Sequence, residues 1–295
     1  MNPRLLQGTG LERRRRQQGW RAWDAGAIAA TAAACLVLEL ETWPKPGLVS
    51  HIDNGSHSDM TAATFRLSAA TLTSYLEALA DAGARGYGMS HLRAIGLEAE
   101  AAMFAATAGV NTHRGAIFGL GLLCAAAGAH AQGRVDPAVS LGQVVADLWG
   151  SDIADGPVLL HSHGNRAHRM YGAGGARTEA ANGFPSVYAI GLPALQRGAL
   201  LAPGDKEAAR VEACFSLIAV LEDTNLLHRG GPAALRFARR TTRKFIEDGG
   251  VGLNDWRDRA QLIHRRFVAL GLSPGGSADL LAMSLFVQAH ETGAL

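Results

Sequence analysis

The chain has 295 residues, a hydrophobic fraction of 48% and a formal net charge of +2. This length and apolar content are enough to bury a substantial core, as one large domain or two tightly joined ones. The small net charge gives no electrostatic reason to expect a nucleic-acid or membrane partner. Because only 6% of residues are aromatic, alanine and leucine must carry the core, which favours closely packed helices over a sheet.

The beginning of the chain imitates a targeting signal. A basic run, Arg13 to Arg16, precedes an alanine-rich apolar stretch at 27–40. That stretch is too short to span a membrane, and no small-residue cleavage site follows it. We predict a loose basic tail over residues 1–19, solvated and not bound to nucleic acid, and a helical catalytic domain over 20–295. Three cysteines without a CxxC partner fit a reducing, cytoplasmic location.

Apolar residues recur at helical spacing along the chain, and no stretch shows sustained alternation with a period of two. The pattern predicts an all-α fold, a single compact multi-helix domain with functional loops between the helices. The predicted helices span residues 25–41, 61–82, 91–108, a segment after Asn111 and Thr112, 138–149, 206–222, 232–247, 255–270 and 277–291. Residues 156–193 are predicted to be the longest irregular stretch, and such loops are usually functional.

The first polar loop follows the first predicted helix. Two prolines flank Lys45 and stiffen the loop that carries its charge, which suits a phosphate ligand. Asp53, His57 and Asp59 follow closely and offer ligands for a divalent cation. A simple turn followed by a capping aspartate explains the same residues equally well, so this alternative stays open.

The second polar segment, Asn111 to Ala116, lies at a predicted helix start. Free backbone N–H groups and the helix dipole attract anions there, and Arg114 adds a charged fork. Ordinary helix capping is the alternative. In the long loop, Gly172, Gly174 and Gly175 allow close backbone approach to a phosphate, although the strand required by a dinucleotide-binding fingerprint is missing.

Two histidines of the long loop, His161 and His163, raise the question of zinc. No cysteine lies nearby and no HExxH motif is present, which argues against a zinc site. Further along, Glu222 falls on the apolar face of a predicted helix, and burial of a carboxylate there requires a partner. Asp223 and the following His-Arg-Gly-Gly segment fit a metal–phosphate site better than a plain surface, with a solvated helix end as the alternative.

The motifs as a set resemble the triphosphoribosyl-dephospho-coenzyme A synthase family. The resemblance covers about residues 25–290, in order, and is carried by PKPGLV with GSHSDM, NTHRGAIF, YGAGGARTEA with NGFPSV, DTNLLHRGG and SPGGSADLL. Thr42-Trp43 and Ser50-His51 look closer to the branch that serves malonate decarboxylase than to the citrate lyase branch.

The resemblance implies a transferase with ATP and 3′-dephospho-coenzyme A as substrates. It releases adenine, and a separate enzyme passes the product to an acyl carrier protein. Mg²⁺ and four cationic side chains would neutralise the triphosphate: Lys45, Arg114, Arg177 and Arg229. A carboxylate would serve the oxocarbenium-like transition state and the attacking hydroxyl, and the candidates are Glu39, Glu41, Asp59, Glu179 and Asp223. Asp59 and Asp223 are the predicted Mg²⁺ ligands. Further substrate contacts are expected from Gly47, His57, Asn111, Thr112, His113, His163, Gly174, Gly175, Asn225 and Gly230.

Two other functions are compatible with parts of this pattern. A helical N-glycosidic hydrolase acting on an ADP-ribose-like substrate would share the metal and the carboxylates but transfer to water. A non-catalytic helical binding protein is disfavoured, because the charged residues concentrate at helix joins and not beside an exposed apolar stripe. The sequence leaves the oligomeric state open, a homodimer included.

Overall fold

The structure is a computed structural model that describes residues 24–156 and 174–293. These residues form eleven α-helices and no strand, which confirms the predicted all-α, compact single-domain fold. The helices are α1 (Ala25–Leu40), α2 (Ala62–Arg85), α3 (Met89–Ala106), α4 (Arg114–Ala131), α5 (Leu141–Ala154), α6 (Gly175–Ala181), α7 (Leu192–Leu201), α8 (Lys206–Val220), α9 (Thr224–Glu247), α10 (Trp256–Ala269) and α11 (Gly275–Thr292). A π-helical turn, Val187–Gly191, leads into α7, and a 3₁₀ turn, Gly250–Gly252, follows α9.

Two helices occupy the centre of the fold. Helix α4 is buried almost continuously from Ala116 to His130, and α11 is buried along most of its length. Both are apolar around most of their circumference, which is the pattern expected of a helix surrounded by others. Helices α1 and α2 pack on one side of this pair, and α5 and α8 pack around the remainder. The polar ends of the helices are thereby brought around one region.

Glycine allows α2 and α4 to pack backbone to backbone. A Cβ atom at Gly83 would lie 1.9 Å from the carbonyl oxygen of Ala125, and one at Gly128 would lie 1.9 Å from that of Ala80. Both distances are far inside van der Waals contact. Neither glycine has a positive φ, so each is required for space and not for backbone conformation. Low aromatic content and many small residues are the sequence signature of this close approach.

Helix α4 is also long and apolar enough to cross a membrane, judged by length and composition alone. Inside the fold, however, 78% of this 18-residue helix is buried by other parts of the protein. Its apolar surface is therefore accounted for by the core.

The expectation of an irregular stretch over 156–193 is wrong in its described part. Helix α6, the π-helical turn and the start of α7 all fall after residue 173. The sequence hides these elements because α6 is only seven residues long and is rich in Gly, Ala and Thr, so it carries little periodic signal. Residues 157–173, which include His161, His163 and Gly172, lie outside the described part of the chain.

Three predicted helix ends also require correction. Helix α9 begins at Thr224, not at residue 232. The Gly-Gly pair lies inside this helix and produces a kink at Gly231. Helix α8 ends at Val220, so Glu222 lies beyond the helix and is exposed, not buried on its apolar face. The last predicted helix, 277–291, begins two residues earlier, at Gly275.

Candidate active site

The ends of α1, α4, α6, α9 and α11 surround a cavity of about 1580 Å³. Single small-molecule sites usually occupy about 300–1,000 Å³, so this cavity has room for more than one ligand. Among the described residues, its wall contains three arginines and seven acids. The arginines are Arg114, Arg177 and Arg229, and the acids are Glu39, Asp59, Glu100, Glu179, Glu222, Asp223 and Asp279.

The proline-flanked loop places Lys45 beneath the cavity wall, not on it. Lys45 is completely buried, and its Nζ forms an ion pair with Glu39 near the end of α1. Burial raises the pKa of Glu39, and the neighbouring ammonium of Lys45 acts in the opposite direction. Glu39 itself reaches the cavity wall. Lys45 therefore acts on the cavity through Glu39 in this structure.

A histidine from a distant helix holds this loop in place. The Nδ1 atom of His264, on α10, lies 2.6 Å from the carbonyl oxygen of Lys45, and its Nε2 lies 3.2 Å from Asp53 Oδ1. The same carboxylate accepts hydrogen bonds from Gly55 N and from Trp43 Nε1. Asp53, considered above as a metal ligand, is thus committed to the conformation of the loop.

A second cluster joins the following turn to α9. Arg229 donates to the carbonyl oxygens of Gly271, at 2.9 Å, and Ser56, at 3.4 Å. The Nε2 atom of His57 lies 2.9 Å from Ser273 Oγ. Burial, followed by the positive charge of Arg229, lowers the pKa of His57, so this ring favours its neutral form. Arg229 faces the cavity while it anchors the turn.

The start of α4 presents an ordered polar chain to the cavity. Asn111 caps the helix by accepting a hydrogen bond from Arg114 N at 3.2 Å. Thr112 Oγ1 donates to Ser68 Oγ at 2.8 Å, and Ser68 Oγ lies 2.7 Å from Nδ1 of His113. Since Ser68 accepts from Thr112, its own hydrogen is available to His113 Nδ1. The imidazole hydrogen then sits on Nε2.

The imidazole of His113 is neutral and has one ring nitrogen that is not hydrogen-bonded to another described residue. It is 4% exposed, lines the cavity, and its Nε2 has no hydrogen-bond partner among the described residues. Burial, with a smaller contribution from the charge of Lys45, lowers its pKa to about 3. A buried polar atom without a partner is costly, so Nε2 of His113 is available for a hydrogen bond with a molecule bound in the cavity.

Asp223 connects the starts of two helices. Its Oδ1 accepts hydrogen bonds from Asn225 N at 2.9 Å and Leu226 N at 3.3 Å, which caps α9. Its Oδ2 accepts from Ser277 N at 2.9 Å and Ser277 Oγ at 3.1 Å in α11. A carboxylate offers about four acceptor positions, so the protein itself fills those of Asp223.

Two further acids and the other two arginines of the cavity also have partners. Arg114 Nε lies 3.0 Å from Glu100 Oε2, and Arg177 Nη1 donates to the carbonyl oxygen of Gly156 at 2.7 Å. Glu179 accepts hydrogen bonds from the backbone N and side-chain Oγ of Ser186, which fixes the turn before the π-helical segment.

The sequence assigned no catalytic, phosphate-binding or metal-binding role to Asp279. It faces the cavity from the second turn of α11 and accepts a hydrogen bond from Ala116 N at the start of α4. A Cβ at Gly115 would lie 2.0 Å from its Oδ2. The anion at this helix start is therefore a side chain of the protein, in the place where the sequence analysis expected a substrate phosphate. The SPGGSADLL motif contained the signal, but helix capping explained the acid equally well.

Most predicted site residues are brought together on the wall of the cavity. These are Glu39, His57, Asp59, Asn111, Thr112, His113, Arg114, Gly174, Gly175, Arg177, Glu179, Asp223, Asn225 and Arg229. Four others are placed elsewhere: Glu41, Lys45, Gly47 and Gly230. Glu41 is paired at 3.5 Å with Arg66, and Gly47 is needed for its positive φ of 67° and its contact with Leu272. His163 lies outside the described residues.

Within residues 24–156 and 174–293, no group of three or more His, Cys, Asp or Glu side chains is arranged to hold a metal ion. A Mg²⁺ ion bound to a nucleotide needs less, since it commonly uses one or two carboxylates together with phosphate oxygens and water. Asp59 fits such a role: its carboxylate lines the cavity, its side chain is 60% exposed, and its nearest charged neighbour is His57 at 3.6 Å. Asp223 would have to release a hydrogen bond to become a direct ligand.

A large cavity at the convergence of helix ends, with charged side chains on a partly apolar wall and buried acids whose pKa values are raised, is the arrangement of an enzyme active site. Comparison with known families specifies which enzyme class. The family model CitG, described as ATP:dephospho-CoA triphosphoribosyl transferase, matches residues 25–294. The chain therefore belongs to this family of transferases.

Several bacterial proteins named probable 2-(5''-triphosphoribosyl)-3'-dephosphocoenzyme-A synthase are similar over nearly their whole length. The protein of Pseudomonas putida is 37% identical, over 89% of this chain and 94% of the relative. That of Pseudomonas paraeruginosa is 40% identical, over 88% and 89% respectively, and that of Acinetobacter calcoaceticus is 37% identical, over 87% and 88%. No solved structure matches the chain.

Proposed function

We propose that this chain transfers the triphosphoribosyl group of ATP to the 2′-hydroxyl of 3′-dephospho-coenzyme A inside the cavity described above. Membership of the family supplies the reaction class. The observation that assigns the reaction to this cavity is its size and composition: about 1580 Å³, with three arginines, seven acids and apolar wall residues such as Phe118 and Phe184. Two large nucleotides require such a volume, and adenine rings require such apolar surface.

The reaction exchanges one bond at ribose C1 for another. The bond from C1 to the adenine nitrogen breaks, and the bond from C1 to the 2′-oxygen of dephospho-coenzyme A forms. Positive charge develops at C1 as adenine leaves. The acidic wall stabilises that charge, because carboxylates in a partly desolvated cavity act through a lower effective dielectric than in water. Occupation of the cavity by both nucleotides would displace water from C1 and favour the hydroxyl acceptor over hydrolysis.

The same acids create a problem for the triphosphate. Seven acids and three arginines line the described wall, so a polyanion would be repelled unless cations accompany it. We propose that ATP enters as its Mg²⁺ complex and that Asp59 is the protein carboxylate closest to the ion. Asp223 contributes through its position between the two helix starts, or through a water. When bound, Mg²⁺ would neutralise phosphate charge.

The arginines would hold the phosphates that the metal leaves free. Arg114, Arg177 and Arg229 all line the cavity and already make one or more contacts with the protein. A guanidinium carries five N–H donors, so each retains donors for a ligand after these contacts. Lys45 is proposed to act from below, by fixing the charge and orientation of Glu39.

We further propose that the product serves malonate decarboxylase. The support is the resemblance of Thr42-Trp43 and Ser50-His51 to that branch, and these residues shape the Lys45 loop: Trp43 Nε1 donates to Asp53, and Ser50 N donates to its carbonyl. A deletion strain tests the assignment. Mass spectrometry should show an acyl carrier protein of malonate decarboxylase without its prosthetic group, and loss only from citrate lyase would assign the other branch.

A cytoplasmic location is part of the proposal. ATP and dephospho-coenzyme A are intracellular metabolites, and the three cysteines of the chain are buried and unpaired. Free thiols of this kind fit a reducing compartment. Fractionation of the native host with detection of the protein in the soluble cytosolic fraction tests this directly, and recovery in a periplasmic extract would contradict it.

Mass spectrometry of purified protein incubated with ATP, Mg²⁺ and 3′-dephospho-coenzyme A tests the function. We expect a new species equal in mass to dephospho-coenzyme A plus the triphosphoribosyl group, together with free adenine. Ribose triphosphate in place of the adduct would identify a hydrolase. Absence of adenine with every acceptor offered would identify a non-catalytic binding protein.

A further inference from the structure

The cavity contains several carboxylates, and most of them are already committed to the protein. Glu39 is paired with Lys45, Glu100 with Arg114, and Glu179 with Ser186. Asp223 has four hydrogen bonds from backbone and side-chain donors. A proton added to any of these four acids would weaken the ion pair or hydrogen bonds that hold it in place, so they are less suited to accept a proton during reaction.

Two of the remaining acids lie too far toward solvent. Glu222 is exposed, and the side chain of Asp59 is 60% exposed. Water competes with a substrate hydroxyl for the oxygens of an exposed carboxylate. The neutral imidazole of His113 is also unsuitable as a base, because its pKa of about 3 makes it a weak proton acceptor. Asp279 is the acid on the described wall that combines partial burial with a single backbone hydrogen-bond donor and no ion pair to a lysine or arginine.

The backbone around Asp279 is built to receive its carboxylate. Ala116 N, at the first turn of α4, donates to it. The adjacent residue is Gly115, where a Cβ would lie 2.0 Å from Asp279 Oδ2 and 2.9 Å from its Cγ. Gly115 does not have a positive φ, so any residue fits the backbone conformation there and only the carboxylate demands glycine. The space beside the helix start is thus occupied by Asp279.

The charges that face Asp279 come from two directions. Glu39 approaches from α1 and Asp223 from the turn before α9, while α4 contributes the positive end of its dipole. Burial, followed by repulsion from Glu39 and then Asp223, raises the pKa of Asp279 well above the ordinary value for aspartate. A raised pKa makes the ionised form of this carboxylate a stronger proton acceptor, which is the property that a general base needs.

We propose that Asp279 is the general base of the transfer reaction. It accepts the proton of the 2′-hydroxyl of dephospho-coenzyme A as the oxygen attacks C1 of ATP. The electron pair of the broken C1–N bond leaves with adenine, and adenine regains a proton from solvent or from protonated Asp279, which restores the carboxylate. His113, with its unpartnered Nε2–H, donates a hydrogen bond to a substrate oxygen in the same cavity. This assignment rests on the proposed transfer reaction.

The primary test is Asp279→Asn, measured by adduct formation and by isothermal titration with ATP. General-base contributions are about 10²–10⁴-fold, so kcat should fall by that factor while the Kd for ATP changes less than about threefold. In the unaltered protein, kcat/KM should decline on the acid side with an apparent pKa above that of ordinary aspartate, and the variant should lose this decline.

A positional variant tests the same idea without removal of the carboxylate. Gly115→Ala should displace Asp279 and lower kcat, whereas Asp279→Glu should retain more activity than Asp279→Asn. Gly96→Ala is the matched control, because Gly96 lies in α3 and a Cβ there meets no atom within 4 Å. Gly96→Ala should keep full activity. Thermal unfolding shows whether each variant is folded.

Three results would overturn the assignment: a kcat of Asp279→Asn within fivefold of the unaltered protein, retention of the acidic decline in that variant, or a loss of ATP affinity as large as the loss in kcat. If Asp279→Asn fails to fold, full activity of Gly115→Ala would overturn it instead. Failure of the transfer reaction itself is distinguishable, because the unaltered protein would then form no adduct.

Discussion

The contact between α2 and α4 gives the most quantitative prediction about the fold. In Gly83→Ala, the new Cβ would lie 1.9 Å from the carbonyl oxygen of Ala125. A carbon–oxygen contact needs about 3.3 Å, so the helices must separate by about 1.4 Å. Overpacking of this kind costs about 1–3 kcal/mol, and the gain in helix propensity from glycine to alanine returns about 0.5–1 kcal/mol. We expect a net loss of about 1–2 kcal/mol.

Differential scanning calorimetry measures this loss. For a domain of this size, about 1 kcal/mol corresponds to roughly 2–4 °C in Tm, so Gly83→Ala should melt about 2–8 °C below the unaltered protein. Gly128→Ala should behave in the same way, because its Cβ would lie 1.9 Å from the carbonyl of Ala80. Gly96→Ala has an open environment and should melt slightly higher. If Gly83→Ala and Gly128→Ala are as stable as Gly96→Ala, the close packing of α2 and α4 is incorrect.

Three further predictions concern the cavity. The pKa of His113 is about 3 in the folded protein and about 6.5 when unfolded, so the unfolded state binds the extra proton first as pH falls. The free energy of unfolding should therefore decline as the pH falls from about 6 to 4. Measured by denaturant titration, its slope against pH should be steeper in the unaltered protein than in His113→Gln by about 1.4 kcal/mol per pH unit. Equal slopes would contradict a buried neutral ring. Asp59→Asn should raise the Mg²⁺ concentration needed for half-maximal activity. An unchanged requirement would show that Asp59 is not a metal ligand. Full activity in excess chelator would show that the reaction needs no metal ion. Arg229→Ala should weaken ATP binding about tenfold or more in calorimetric titration, or about 1.4 kcal/mol. Unchanged affinity in alanine variants of all four cationic residues would refute the triphosphate assignment: Lys45, Arg114, Arg177 and Arg229.

The fold class was accessible from the sequence because helical periodicity is a local property. Long apolar helices such as α4 and α11 repeat their pattern over several turns, so their existence is predictable even where their ends are not. Short elements such as α6 lack this repetition. The kink at Gly231 was visible as a Gly-Gly pair, but the helix that precedes it depends on the cap from Asp223, and Asp223 also reads as a possible ligand.

The site residues were predictable as a set because polar and glycine-rich segments collect where helices end. Their individual roles were not, since roles depend on which ends meet. Lys45 looked like a phosphate ligand, yet it is buried against Glu39. Asp279 belongs to the SPGGSADLL motif at the start of the last helix, yet it accepts a hydrogen bond from the start of α4. Spacing along one segment cannot show that a residue at 279 lies beside residue 115.

The ratio of adenine to coupled product in a single reaction tests the central claim most directly. Purified protein is incubated with Mg²⁺ and ATP, with and without 3′-dephospho-coenzyme A, and both products are quantified by liquid chromatography with mass detection. A transfer reaction predicts equimolar adenine and triphosphoribosyl-dephospho-coenzyme A, and almost no adenine when the acceptor is omitted. Adenine release that proceeds equally well without the acceptor would contradict the account, because water would then be the true acceptor.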